Sequence, residues 1–292
     1  MMKQATTILK LFIVAFIVFC NTAAKDTHEQ NQESILGPEG VKLLQELKNE
    51  RKAKEMDRSR VRSIKKLDYL WGYEGTNGPA HWHSLHKAFA LCGQGTSQSP
   101  IDIPPTTIKR NLNIEVDYEN SSIGLFNNGK TLFVNYFAKA KILLNKTKYK
   151  LIRLQFHTPS EHRVGGIEYP MEIQFYHRSA ENNVAMISVF VEQGETNPLL
   201  EKIWNFMPEH INHENVIREK KFNAKLLFPN DSKFYFYTGS LTTPPCTENI
   251  PWVIFTNPIQ ASREQLEIFS TILDNNIRPI QATNNRAIRI DS

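Results

Sequence analysis

From Leu67 onward the chain is written in short strand-like runs separated by turn signals, and that rhythm limits what it can fold into. The runs are Leu132–Phe137, Lys150–Phe156, Met171–Tyr176, Val184–Glu192, Lys233–Tyr237 and Trp252–Phe255. Asn127-Asn128-Gly129 marks a turn between two such segments. Helical periodicity is confined to two stretches, Asn197–Met207 and Ser262–Asn275. No internal repeat is present. The expectation is one mostly β domain over residues 67–292.

The segment before it differs in charge. Residues 1–66 hold 13 Lys/Arg and 8 Asp/Glu, whereas residues 67–292 hold 22 of each. The formal net charge of +5 therefore belongs to the first part. An electrically balanced body argues against nucleic acid as a partner.

Met1 to about Ala24 has the pattern of a signal peptide. Lys3 and Lys10 precede the apolar run Leu11–Cys20, and Thr22-Ala23-Ala24 fits a cleavage site. A membrane span needs roughly 20 apolar residues, about twice that run. Residues 25–66 form a polar lead-in with Val41, Leu44 and Leu47 at helical spacing. Its part from 48 to 66 is strongly basic and suits contact with an acidic surface. These features lead us to expect secretion.

Three cysteines occur, and Cys20 lies in the leader. The remaining pair, Cys92 and Cys246, suggests one disulfide in an exported chain. Asn120, Asn145 and Asn230 each open an Asn-X-Ser/Thr sequon, a glycosylation candidate.

Three blocks carry a resemblance. The first combines Trp71-Gly72-Tyr73, Gly78-Pro79, His81-Trp82-His83 and Gln98-Ser99-Pro100-Ile101-Asp102-Ile103. The second is His157-Thr158-Pro159-Ser160-Glu161-His162, then Met171-Glu172 and His177. The third is Gly239-Ser240-Leu241-Thr242-Thr243-Pro244-Pro245-Cys246-Thr247-Glu248, with Trp252 four residues later. Asn276-Ile277-Arg278-Pro279 and Asn285-Arg286 complete the order. Together they resemble the α-class carbonic anhydrases, from about residue 69 to the end. The resemblance implies a central, twisted, largely antiparallel ten-stranded sheet with a few short peripheral helices and a conical cavity. It also implies that Cys92 pairs with Cys246.

The chemistry of that family uses zinc held by three neutral imidazoles, with water in the fourth position. Zinc lowers the pKa of that water to about 7 and so supplies hydroxide at neutral pH. By resemblance the ligand positions are Gln155, His157 and Gln174. Positions 155 and 157 share a strand face because side chains alternate. Flanking residues match without gaps, and a slip by one would turn the face over. An amide oxygen is a harder donor, better suited to calcium or magnesium than to zinc. No cofactor is therefore expected, and no confident catalytic residue.

Other positions are read on the same resemblance. Arg153 and Glu172 stand where groups that orient the metal ligands would lie, and we expect them to form an ion pair. Tyr176 and Met186 would fill the carbon dioxide pocket, lined also by Tyr73, Leu241, Thr243 and Trp252. Lys130 takes the place of a proton-shuttling histidine, and a lysine stays charged at neutral pH. Thr242 and Glu161 match the pair that orients the zinc-bound hydroxide. The reading is a secreted carbonic anhydrase-related chain without carbon dioxide hydration, binding an extracellular protein or glycan. The alternative is a carbonic anhydrase with an atypical metal site.

Overall fold

The computed structural model describes residues 67–291 apart from 106, 107, 111, 112, 209 and 274, together with four helical positions, Lys42, Gln45, Glu46 and Asn49. The expected signal peptide and the rest of the basic lead-in lie outside the described residues. Asp68–Ser292 forms a compact unit of its own.

Its strands, in chain order, are β1 (Asp102–Ile103), β2 (Ile108–Arg110), β3 (Ile114–Tyr118), β4 (Ser121–Asn127), β5 (Leu132–Asn135), β6 (Ala140–Leu144), β7 (Thr147–His157), β8 (Arg163–Val164), β9 (Met171–Arg178), β10 (Val184–Gln193), β11 (His213–Phe222), β12 (Phe234–Ser240), β13 (Glu248–Phe255), β14 (Ile259–Ala261) and β15 (Arg289–Asp291). Thirteen of them join one sheet, whose main path holds ten in the order β11-β4-β5-β7-β9-β10-β13-β12-β15-β2. Along that path only β10–β13 and β15–β2 are parallel. The two longest helices among the described residues are α1 (Pro198–Trp204) and α2 (Arg263–Ile272).

Local chemistry explains the edges of these elements. Asn197 caps α1 by accepting from Leu199 and Leu200 N–H, with Pro198 at the first helical position. Ser262 and Gln265 form a reciprocal capping box on α2. Between β4 and β5, Asn128 Oδ1 accepts from Lys130 and Thr131 N–H, and Gly129 adopts φ 79°.

Alternation along the central strands separates core from site. On β7, Leu154 and Phe156 enter the large core beneath the sheet, while Arg153, Gln155 and His157 face the other way. On β9, Ile173 and Phe175 go down and Glu172, Gln174 and Tyr176 go up. β10 is buried on both faces. Ala185, Ile187, Val189 and Val191 join the large core, and Met186 and Phe190 join a second cluster with Tyr237, Ile250 and Trp252. That explains its nearly unbroken apolar sequence, since a two-sided burial needs no alternation.

The strand runs read from the sequence are present with shifted ends. The first of them stops at Asn135, and the second begins at Thr147 instead of Lys150. The exposed edge strand β11 was not expected. Its sequence HENVIREKKF has one buried position, so it lacks the apolar alternation that marks a strand. The Cys92–Cys246 disulfide is formed, with Cα atoms 5.1 Å apart.

Candidate functional site

β7 and β9 pair antiparallel in the register Arg153↔Tyr176, Gln155↔Gln174 and His157↔Glu172. The three residues at the ligand positions implied by the resemblance, Gln155, His157 and Gln174, are therefore adjacent on one face. Gln155 donates its amide N–H to Gln174 Oε1 at 3.0 Å. Gln174 donates to Glu161 Oε2 at 2.8 Å and to Glu172 Oε1 at 3.0 Å. All five residues of this cluster, His157 included, are buried.

His157 lies slightly apart from this wiring. Its Nδ1–H donates to the Asn276 carbonyl at 2.7 Å, which fixes the tautomer. Its Nε2 has no hydrogen-bond partner and stands 3.6 Å from Glu161 Oε2. Asn276 also anchors the strand end, accepting from Thr158 N–H and donating to the Phe156 carbonyl.

Glu172 is the most heavily engaged acid. It accepts from His162 N–H (2.8 Å), His162 Nδ1–H (2.9 Å) and Ser188 Oγ–H (2.7 Å) as well as from Gln174. Burial pushes its pKa up, but the His162 imidazole and these hydrogen bonds outweigh it and hold the group at about 2. The wiring continues from His162 Nε2 to the Tyr237 hydroxyl (2.7 Å) and on to Ser99 Oγ (2.6 Å).

Two expectations are corrected here. Arg153 does not pair with Glu172. It lies four residues up the ladder from His157, which faces Glu172, a separation of about 13 Å. The guanidinium instead lies over the Phe133 and Tyr176 rings at 4.4 and 4.8 Å, with Nε unpartnered. Burial lowers its pKa from the ordinary arginine value. Nor does any hydrogen bond join Thr242 to Glu161. Glu161 Oε1 takes the Arg278 N–H at 3.0 Å and Oε2 takes Gln174. Thr242 is buried close by in sequence to the half-buried Leu241 and Thr243.

The other expected residues fall as follows. Met186 and Trp252 are buried in the upper cluster, and Trp252 Nε1–H donates to the Ser240 carbonyl at 2.9 Å. Tyr73 has a buried hydroxyl without a partner, and burial, aided by Glu161, raises its pKa well above the ordinary value. Lys130 Nζ sits 4.1 Å from the Trp71 ring centroid and donates to the Asp68 carbonyl. Burial lowers its pKa from the usual lysine value. Asn120, Asn145 and Asn230 are exposed.

Ser188, His162, Tyr237, Ser99 and Arg278 were not singled out as site residues. Arg278 is buried and donates to Gln98 Oε1, the Ser99 carbonyl and the Cys92 carbonyl at 2.7–2.8 Å. Ser188 gave a weak signal, as a lone hydroxyl in the apolar run of β10.

Residues 77–292 match the family described as eukaryotic-type carbonic anhydrase. This chain belongs to that family. It is 38% identical over 223 residues to a carbonic anhydrase of Nostoc sp., covering 75% of this chain and 84% of the relative. Dioscorin dioA3 of Dioscorea japonica is 31% identical, covering 73% and 80% of the two chains. Among solved structures, the α-carbonic anhydrase of Thermovibrio ammonificans in complex with sulfanilamide shares 37% identity, with a TM-score of 0.73 over 75% of this chain and 98% of that one. A dioscorin complexed with ascorbate gives 29% identity and a TM-score of 0.70 over 76% and 98%. The family therefore includes chains named carbonic anhydrase and chains named otherwise. The sheet of this chain is that of its carbonic anhydrase neighbours.

Proposed function

We propose that this chain is a catalytically silent carbonic anhydrase family member that serves as an extracellular binding module. The observation that carries the reading is the wiring of Gln174. Its oxygen is taken by Gln155 and its nitrogen by Glu161 and Glu172. The Gln174 amide is thus fully engaged with its neighbours at the metal position, and among these groups His157 Nε2 stays unpartnered.

The residues present do not fit zinc. A zinc of this family needs three imidazole nitrogens, and one is available, His157 Nε2. The nitrogens of the two amides cannot coordinate, and Gln174 Oε1 is already an acceptor. The Arg153 guanidinium, next to Gln155 on the same strand face, adds positive charge.

Secretion is supported by the leader pattern and by a disulfide, which persists in oxidising compartments. Exposed sequons at Asn120, Asn145 and Asn230 are compatible with glycosylation there.

One observation favours a second reading, a carbonic anhydrase with an atypical metal. His157 Nε2 is bare and faces Glu161. The deciding experiment is elemental analysis of the purified protein after dialysis against excess zinc and then buffer, with a carbon dioxide hydration assay alongside. Metal below a tenth of an equivalent and hydration at the blank rate are expected. One equivalent of retained zinc with hydration above blank overturns the proposal.

A further inference from the structure

Residues 120–160 contain seven Lys/Arg and no Asp or Glu. In a domain with 22 Lys/Arg and 22 Asp/Glu in all, this is a concentrated segregation. The sheet then arranges it. β6 and β7 pair with Lys141 directly opposite Lys150, and β7 and β9 pair with Lys150 directly opposite Arg178. Lys148 lies two residues from Lys150, on the same strand face. All four side chains are exposed.

Like charges directly opposite across strands disfavour the sheet. Lys150 meets one on each side. Lys141 is relieved by an ion pair with Asp117 at 3.0 Å. The other nearby acid on this face is Glu115 of β3, opposite Leu143 and two strands from Lys148. Among the described residues no carboxylate forms an ion pair with Lys148, Lys150 or Arg178. The row crosses three strands, about 10 Å. A bulge between Leu151 and Arg153 brings Arg153 onto the same face opposite Tyr176, so the positive charge runs on toward Gln155.

We propose that this row, Lys141, Lys148, Lys150 and Arg178, is a docking surface for a sulfated linear polysaccharide. The proposal rests on the binding-module reading and gives it a surface and a class of partner. Each cation is exposed, so a single small anion would gain little from any one of them. A polymer with anions at regular intervals engages several at once, and the gains multiply. Nucleic acid fits less well, because no exposed aromatic ring lies within the row to stack a base: Tyr149 is buried and Tyr176 is covered by Arg153. A membrane fits less well too, because the β6–β7 hairpin ends in Asn145-Lys146, without an apolar tip to insert.

The test uses the full chain and three variants: Lys148→Gln/Lys150→Gln, the same with Arg178→Gln, and Arg218→Gln/Lys220→Gln/Lys221→Gln on β11 as a control matched in charge to the triple variant. Heparin is the probe, with neutral dextran, single-stranded DNA and anionic phospholipid vesicles in parallel. The triple variant is expected to bind heparin at least about tenfold more weakly at roughly 0.1 M salt, with the gap closing as salt rises because exposed charges are screened beyond about 10 Å. Its melting temperature should stay level or rise, since the opposed charges are gone, which separates lost binding from lost folding. Zinc content and hydration, measured on the same preparations, should not change. An equal loss in the β11 control, no heparin binding by the unaltered chain, or tighter binding to DNA or vesicles than to heparin overturns the proposal. None of these results depends on whether the metal position is silent, so the two readings fail separately.

Discussion

Gln155 and Gln174 face each other across β7 and β9, and the amide of the first donates to the oxygen of the second at 3.0 Å. That single contact orients both side chains. It turns the nitrogen of Gln174 toward Glu161 and Glu172, so two buried carboxylates are served by one amide.

Removing that amide should be costly. Gln174→Leu leaves both carboxylates short of a donor and should destabilise the domain by about 2–3 kcal/mol in urea unfolding at pH 7. Gln174→Glu should be worse, because a third carboxylate then faces the other two. The gap between these variants should narrow as the pH falls, since protonation of the new carboxyl restores a donor. A Glu variant as stable as the Leu variant at pH 7 would show that Gln174 does not serve the acids.

Restoring the imidazoles should not restore the enzyme. The Gln155→His/Gln174→His variant is expected to hold zinc at less than one equivalent after dialysis, because Arg153 still occupies the next rung. Adding Arg153→Gln should raise the retained zinc. Full occupancy in the double variant alone would show that the arginine is irrelevant to metal affinity.

His177 should make the domain acid-sensitive. Its Nδ1–H donates to the Phe175 carbonyl, and its Nε2 meets the Tyr118 hydroxyl, so the ring is built in neutral. Burial lowers its pKa to about 3. As pH falls below the ordinary value of about 6.5, the unfolded chain takes up a proton that the folded chain refuses. Stability should therefore drop by about 2 kcal/mol between pH 8 and pH 5 from this group. Glu172, held at about 2, adds its loss lower, from the usual glutamate range down toward that value. The paired change His177→Leu/Tyr118→Phe should flatten the slope between pH 6.5 and 5, and an unchanged slope would refute the assignment.

Breaking Cys92–Cys246 should cost about 2–5 kcal/mol, because the bridge closes a loop with a sequence separation of 154. Urea midpoints of the unaltered chain with and without reductant, and of Cys92→Ser/Cys246→Ser, measure it. The reduced chain and the variant should agree.

The sheet was legible where burial on one or both faces leaves a pattern, as in β7, β9 and β10. The edge strand β11 was not, because its side chains are exposed and charged and its pairing with β4 is a backbone matter. At the site, identities flanking positions 155, 157 and 174 placed the three residues correctly on one face. The partnership proposed for Arg153 failed because spacing along one strand says nothing about register against the next. The register sets Arg153 against Tyr176 and Glu172 against His157, on opposite sides of the Gln155–Gln174 rung. The engagement of Glu161 by Gln174 in place of Thr242 was likewise invisible, since it depends on which end of an amide points inward.

The wiring of Gln174 also sets the route by which such a site could change. Replacing either glutamine with histidine alone removes an amide contact before three nitrogens are available to hold an ion. Each single step toward a metal centre therefore lowers stability without gaining activity. A lineage that reached this arrangement meets a barrier on the way back, and the pair of amides acts as a ratchet on its history.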